Sequence, residues 1–404
     1  MTEPLFAGLK VIDCASYVAA PAAATVLADF GANVIKIEPP GEGDPWRNVW
    51  RRPGMPESEH NHPWLMDDRN RRGLVLDLKA QAGRAVLERL ISQADVFITN
   101  TPLPARERLR MRYEDFAQAY PRLIYASLTA YGEIGEESGK TGFDLTAYWA
   151  RSGLMDEVRT DYRSLPARSV AGMGDRPTAM ALYGAIVTAL YRREKTGRGG
   201  EVRASLMASG LWANAYLIQA RLCGTTFPPR PPREESVTAL GNIYRTLDDR
   251  WFMLALASDR QWPALARAIG MPGLAMDPRF AGAEERRVNA VVLMGILDEV
   301  FAGRTLVEWR AVLDAAGLTF GVVGTVAEIV SDPQALAAGM LRPLGETGML
   351  TVDSPFTVSG AEKVPVAEAP GFGEHGEEIL REAGYEEGEI EALRAAGVVG
   401  GGEA

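Results

Sequence analysis

Two apolar patterns alternate along the first half of the chain. Short runs bounded by turn residues recur at residues 9–14 (LKVIDC), 32–38 (ANVIKIE), 95–99 (DVFIT), 123–129 (LIYASLT) and 201–206 (EVRASL). Each is too short for a stable helix, and most are rich in Val and Ile, so each predicts a strand. Between them lie helical patterns. Residues 22–30 read as an apolar helix, with Pro21 well placed in its first turn. Residues 80–93 (AQAGRAVLERLISQ) put their apolar side chains on one helical face. A long helix is predicted over residues 177–194, stopped by Lys195-Thr196-Gly197, and another from the strand at 201–206 to residue 222. Strands and helices alternating at this spacing predict an α/β fold, a parallel sheet covered by helices.

The pattern breaks at residues 227–233 (FPPRPPR), where two proline pairs without periodicity predict a linker or rigid loop. Beyond it, residues 242–257 read as a hairpin turning at Asp248-Asp249, and helices follow near 260–269, 289–302 and 305–316. These make a smaller α+β lobe. From about residue 330 the elements are short, and a glutamate-rich helical tail occupies 374–396. The expected division is residues 1–225, then a small domain at 226–330, then 331–404 with the tail.

Composition narrows the function. The 404 residues carry a net charge of −10, a poor match for nucleic acid or an anionic membrane surface. No apolar stretch reaches the ~18 residues that a membrane span needs. The first residues lack the basic and apolar regions of a signal peptide. Cys14 and Cys223 are the two cysteines, both in apolar surroundings, and are expected as buried reduced thiols. A cytoplasmic protein is expected.

The first strand–turn–helix, with Glu38 ending the second strand, has the outline of a dinucleotide site. Its turn, residues 15–20 (ASYVAA), has no glycine to let the backbone approach a pyrophosphate, which argues against NAD. Arginines cluster at residues 68–72 (DRNRR) and 106–112 (RERLRMR). They read equally as a solvated face or as a site for a phosphorylated small molecule. His60 and His62 have no nearby cysteine or third histidine, so no metal site is expected. No G-x-S-x-G is present. Tyr148, Trp149 and Trp212 are candidates to line a pocket, although helical aromatics more often belong to the core. Two carboxylates precede helix-like stretches: Asp144 and, after Gly172-Met173-Gly174, Asp175. Each suits a helix N-cap. Each also suits a nucleophile, because a helix N-terminus favours the ionised carboxylate. The residues themselves leave both readings open.

A set of motifs carries a resemblance along nearly the whole chain. They are residues 27–38 (LADFGANVIKIE), Gly43-Asp44, residues 76–79 (LDLK), 121–127 (PRLIYAS), Gly174-Asp175, 195–199 (KTGRG), Gly373-Glu374-His375 and 378–380 (EIL). In this order they resemble the class III CoA-transferases, which include formyl-CoA and carnitine-related transferases and are kin to the α-methylacyl-CoA racemases. The resemblance implies an interlocked homodimer, with a Rossmann-like large domain built from both chain ends and a small domain from the middle. It implies an acyl-CoA and a carboxylic acid as substrates, and no cofactor beyond coenzyme A. It makes Asp175 the nucleophile. It puts Val18, Ala19, Leu76, Lys79, Asn100, Thr101, Arg108 and Lys140 at CoA contacts, Arg108 and Lys79 being suited to phosphate.

Departures narrow it further. Pro39 and Val18 stand where one branch has Arg and Gln. Residues 234–242 hold only Gly241 where that branch has a glycine-rich loop. These disfavour formyl-CoA/oxalate specificity. Phe143 stands where the racemases need a histidine, which removes one of the two bases of α-proton exchange. Intermolecular CoA transfer is the leading expectation. Intramolecular transfer within a dicarboxylic acyl-CoA is the close alternative, and racemisation the weaker one.

Overall fold

The structure is a computed structural model and describes residues 3–400. The first six strands are β1 (Lys10–Cys14), β2 (Asn33–Glu38), β3 (Arg72–Leu76), β4 (Val96–Thr99), β5 (Ile124–Thr129) and β6 (Gly200–Ser205). A separate three-stranded sheet holds β7 (Gly241–Arg245), β8 (Trp251–Ala255) and β9 (Phe320–Val322), and a ribbon pairs β10 (Leu341–Pro343) with β11 (Leu350–Val352). The last strand is β12 (Val399–Gly400). Among the described residues, seven strands form one sheet in the order β12-β3-β2-β1-β4-β5-β6. Every pairing in it is parallel except β12 with β3.

Alternation explains how these strands bury both faces. Val11, Val34, Ile98, Ile124 and Ala126 join one core. Ile12, Ile35, Phe97 and Tyr125, their immediate neighbours in sequence, join the other. The first eight α-helices are α1 (Ala19–Asp29), α2 (His62–Asp67), α3 (Gln81–Ile91), α4 (Leu103–Leu109), α5 (Tyr113–Ala117), α6 (Leu154–Glu157), α7 (Asp175–Thr196) and α8 (Leu206–Ala213). The first core packs against α1 and α7. The second packs against α3 and two tail helices, Gly376–Glu382 and Glu387–Ala395. Every residue of α1 is buried, and its run of alanines lets it lie close to its neighbours.

The described residues divide into two compact units. One comprises Met1–Val158, Arg168–Thr225 and Leu336–Ala404, and holds the large sheet. The other comprises Arg159–Ala167 and Thr226–Ala335. Its core is aromatic, with Phe252, Phe301 and Trp309 in edge-on contacts. No helix among the described residues is long and apolar enough to cross a membrane.

The chain runs β1, β2, β3 to one side of β1, then returns to lay β4, β5 and β6 on the other. The order reverses between β1 and β4, and in open sheets the crevice at the carboxyl end of such a pair is where ligands bind. Helix α1 begins at that end of β1. Helix α7 runs down to the start of β6, and its 22 residues span about 33 Å. Its N-terminus therefore lies toward the same edge of the sheet as that of α1, against which it packs.

Candidate active site

The turn from β1 into α1 is held in a conformation its residues would not choose alone. Tyr17 has φ of 63°, uncommon for a non-glycine residue. Asp44 accepts the Tyr17 N–H at 3.1 Å and the Trp46 N–H at 2.9 Å. The Asn100 side chain accepts from the Ser16 N–H at 2.9 Å and donates to its carbonyl at 2.7 Å, tying the turn to the end of β4. Lys36 Nζ donates to the Ala15 carbonyl at 2.7 Å.

Behind the turn is a buried ionic cluster. Lys36 lies 2.8 Å from Asp44, 3.8 Å from Asp13 and 3.9 Å from Asp68. Arg71 reaches Asp13 at 2.6 Å and Asp68 at 2.8 Å. None of these five side chains is more than 1% exposed. Burial alone would lower the Lys36 ammonium, but Asp13, Asp44 and Asp68 hold it above its ordinary range. Burial pushes Asp68 up to about 7 against the pull of Arg71 and Lys36. Burial also pushes the Cys14 thiol up to about 12, so it is a protonated core residue rather than a nucleophile.

The two candidate carboxylates have different roles. Asp144 is buried at the start of a π-helical turn, Asp144–Ala150. One of its oxygens accepts from the Gly172 N–H at 2.9 Å and the Gly174 N–H at 3.4 Å, and the other accepts from the Leu145 N–H at 2.7 Å. Asp144 thus clamps the loop that leads into α7. Gly174 lies against the Tyr148 ring, where an added Cβ would come within 2.6 Å of a ring carbon.

Asp175 is the first residue of α7 rather than its cap, a position held by Gly174, and no side chain caps this helix. The Asp175 carboxyl is half-buried and pushed up to about 7, chiefly by burial and then by Asp144, with Arg176 opposing and Asp67 adding to the rise. Pro177, in the first turn, lacks an N–H where the helix has no partner for one. Arg176 pairs with buried Asp67 at 2.6 Å. The Tyr17 and Phe143 rings meet edge-on at 5.4 Å. This contact joins the β1–α1 turn to Asp144, and so to the loop that carries Asp175.

The remaining candidates lie along the same edge of the sheet. Val18, at the N-cap of α1, and Ala19, its first residue, are both buried. Leu76 is buried at the end of β3, and Lys79 is exposed just beyond it. Asn100 and Thr101 follow β4, and the Asn100 amide is already engaged with Ser16. Arg108 is exposed on α4 and, among the described residues, has no carboxylate partner. Lys140 is exposed beyond β5, pairs with Glu137 at 2.9 Å and lies over the Tyr131 ring.

Several expectations change. The first arginine cluster is neither a solvated face nor a phosphate site. Arg69 is buried on Asp29, Arg71 on Asp13 and Asp68, and Arg72 pairs with Glu378 and Glu382. In the second cluster Arg106 is buried on Glu133, while Arg108 has no carboxylate partner among the described residues and donates to the Pro104 carbonyl at 3.2 Å. Cys223 is exposed, because the segment after residue 214 lies at the surface. Trp212 is 83% exposed, whereas Tyr148 and Trp149 are core residues. The ionic cluster and Tyr17 were missed. One signal was available: Lys36 interrupts an apolar strand, and a charge in a buried strand needs a partner.

With this geometry in view, comparison with known proteins is specific. Residues 6–376 match the model of CoA-transferase family III. The chain is 32% identical over 401 residues to (R)-2-hydroxy-4-methylpentanoate CoA-transferase of Clostridioides difficile, covering 98% of this chain and 99% of that protein. It is 32% identical over 399 residues to cinnamoyl-CoA:phenyllactate CoA-transferase of Clostridium sporogenes, covering 96% of each. A crystal structure of a CaiB/BaiF family protein from Brucella suis superposes with a TM-score of 0.84 at 28% identity, covering 95% of this chain and 100% of that one.

Proposed function

The chain belongs to CoA-transferase family III and is a CoA-transferase; from that premise we propose that it moves CoA from an acyl-CoA to a carboxylic acid with Asp175 as the covalent carrier. The Asp175 carboxylate attacks the donor thioester carbonyl. The C–S bond breaks, CoA leaves as thiolate, and an aspartyl-acyl anhydride remains. The thiolate attacks the aspartyl carbonyl of that anhydride, releasing the donor acid and leaving an aspartyl-CoA thioester. The acceptor carboxylate attacks this thioester and expels the thiolate, giving a second anhydride. Attack of the thiolate on the acceptor acyl carbonyl forms the new acyl-CoA and regenerates Asp175. Each transfer is divided into easier steps, as in covalent catalysis generally.

The observation that carries this reading is the position of Asp175. It is half-buried at the first turn of α7, with no capping role, on a loop clamped by Asp144 and connected through Phe143 to the turn at the sheet's switch point. The strand order and that turn support a Rossmann-like CoA site, with backbone at Val18 and Ala19 and phosphates near Lys79 and Arg108. Leu76, Asn100, Thr101 and Lys140 border it. Phe143 offers no proton to exchange, which disfavours racemisation. Coenzyme A is the only cofactor-like molecule this chemistry requires. A homodimer working in the cytoplasm, with no nucleic-acid partner, completes the reading.

Incubation with a panel of acyl-CoAs and mixed carboxylic acids, scored by mass spectrometry, tests it. New acyl-CoAs form only when an acid is added, and Asp175→Ala forms none. Unchanged turnover in that variant contradicts the mechanism.

A further inference from the structure

A cavity of about 340 Å³ lies within the large-sheet unit, bordered by α1, α2, α7 and the segment after β11. That volume falls within the range of small-molecule pockets, about 300–1,000 Å³. We propose that this cavity is the acyl pocket, and that it accepts apolar monocarboxylic acyl groups in preference to dicarboxylic ones; the proposal rests on the CoA-transfer reading of Asp175.

Position supports it first. Arg176 and Pro177, which line the cavity, directly follow Asp175, and Ala179, also in its wall, is one helical turn from Asp175 on the same face. Asp175 senses two carboxylates, Asp144 and Asp67. Asp144 belongs to the side of Phe143, Tyr17 and the β1–α1 turn. Asp67 belongs to the cavity wall. A thioester carbonyl at Asp175 must direct its two substituents apart. With the CoA sulfur toward the turn, the acyl chain enters the cavity.

The lining sets the chemistry. Ala22, Val26, Met66, Ala179, Met180 and Val352 give an apolar wall, and the alanines leave the space open. Both cations at the cavity are already paired. Arg69 makes a two-point bond to Asp29, and Arg176 is held by Asp67. Asp353, also in the wall, is held by Lys363 at 2.7 Å. A second carboxylate on the acyl chain would meet two carboxylates and, among the described residues lining the cavity, no unpaired cation. The intramolecular alternative needs such a dicarboxylic chain, so the cavity disfavours it.

The test is an acyl-length profile of kcat/KM from acetyl-CoA to octanoyl-CoA, with succinyl-CoA included, for the wild type, Met180→Trp and Met180→Ala. The wild type is expected to prefer hexanoyl-CoA over succinyl-CoA by at least about tenfold, the scale on which a shaped pocket discriminates. Met180→Trp, by filling the cavity, is expected to lower the hexanoyl-to-acetyl ratio by about tenfold or more, and Met180→Ala to shift the optimum to longer chains. If Met180→Trp fails to fold, the shift in Met180→Ala still decides. A flat wild-type profile, a preference for succinyl-CoA, or variants that keep the wild-type ratio overturn the pocket while leaving Asp175 chemistry standing. Absence of CoA transfer from every acyl-CoA overturns both.

Discussion

At the scale of single residues, burial and neighbouring charge determine what Asp175 can do. A carboxyl pushed up to about 7 is a nucleophile only where it is ionised. The single-turnover rate of acylation is therefore expected to rise with pH and level off above about 7. The same shift acts on stability. The unfolded carboxyl ionises near 3.8 and the folded one near 7, so between those values the folded state keeps a proton that the unfolded state has lost. Stability falls as pH rises through that window. Asp175→Asn removes this cost. Its unfolding free energy is expected to exceed that of the wild type above pH 7, by on the order of 1–3 kcal/mol, and to converge with it below pH 4. Chemical denaturation across pH measures this, and a variant less stable than wild type at pH 8 contradicts it. Gly174→Ala forces a Cβ into the Tyr148 ring, and is expected to lower kcat through displacement of Asp175. The assay is kcat with saturating acyl-CoA.

At the scale of elements, the β1–α1 turn depends on charges buried behind it. Lys36→Met leaves three carboxylates facing one arginine, and is expected to cost about 3–5 kcal/mol in urea unfolding. Asp44→Asn keeps an oxygen for the Tyr17 and Trp46 N–H groups while weakening the hold on Lys36. It is expected to raise KM for acyl-CoA several-fold with a smaller effect on kcat. Equal losses in both would place the turn outside CoA binding. The elements themselves were unevenly legible. Runs such as NVIKIE and LIYASLT showed as strands because they are short, apolar and bounded by turn residues. Strand β3 was hidden, because its Arg72 and the arginines before it read as a solvated face or a phosphate site, while their partners Asp29, Asp13 and Glu382 come from distant parts of the chain. Two-residue β12 has too little sequence to carry a pattern. The helix expected to reach residue 222 divides at Asn214, whose side chain bonds to the Ser152 carbonyl, a long-range contact that local propensity does not encode. Asp144 and Asp175 looked alike because a capping carboxylate and a nucleophile share one local sequence signature. The Gly174-Asp175 motif of the resemblance singles out Asp175, and the bonds that Asp144 accepts from the Gly172 and Gly174 N–H groups give Asp144 its separate, clamping role.

At the scale of the whole molecule, the large-sheet unit leaves apolar side chains in water that a monomer has no reason to keep. Trp212 is 83% exposed, Tyr216 84% and Leu222 75%, on α8 and the helix after it. The proposed homodimer would cover them. Sedimentation velocity is expected to give twice the 43.8 kDa chain mass, and Trp212→Glu with Tyr216→Glu to shift it toward one chain. A monomeric wild type with full activity contradicts the dimer. The central claim, however, is that Asp175 carries the group being transferred, and one measurement bears on it most directly. The protein is mixed with an acyl-CoA in the absence of acceptor acid, quenched, digested and analysed by mass spectrometry. The account predicts that the peptide containing Asp175 gains the mass of an acyl or CoA adduct, which is lost when an acceptor acid is added. An unmodified Asp175 peptide from protein that transfers CoA at its full rate would contradict it.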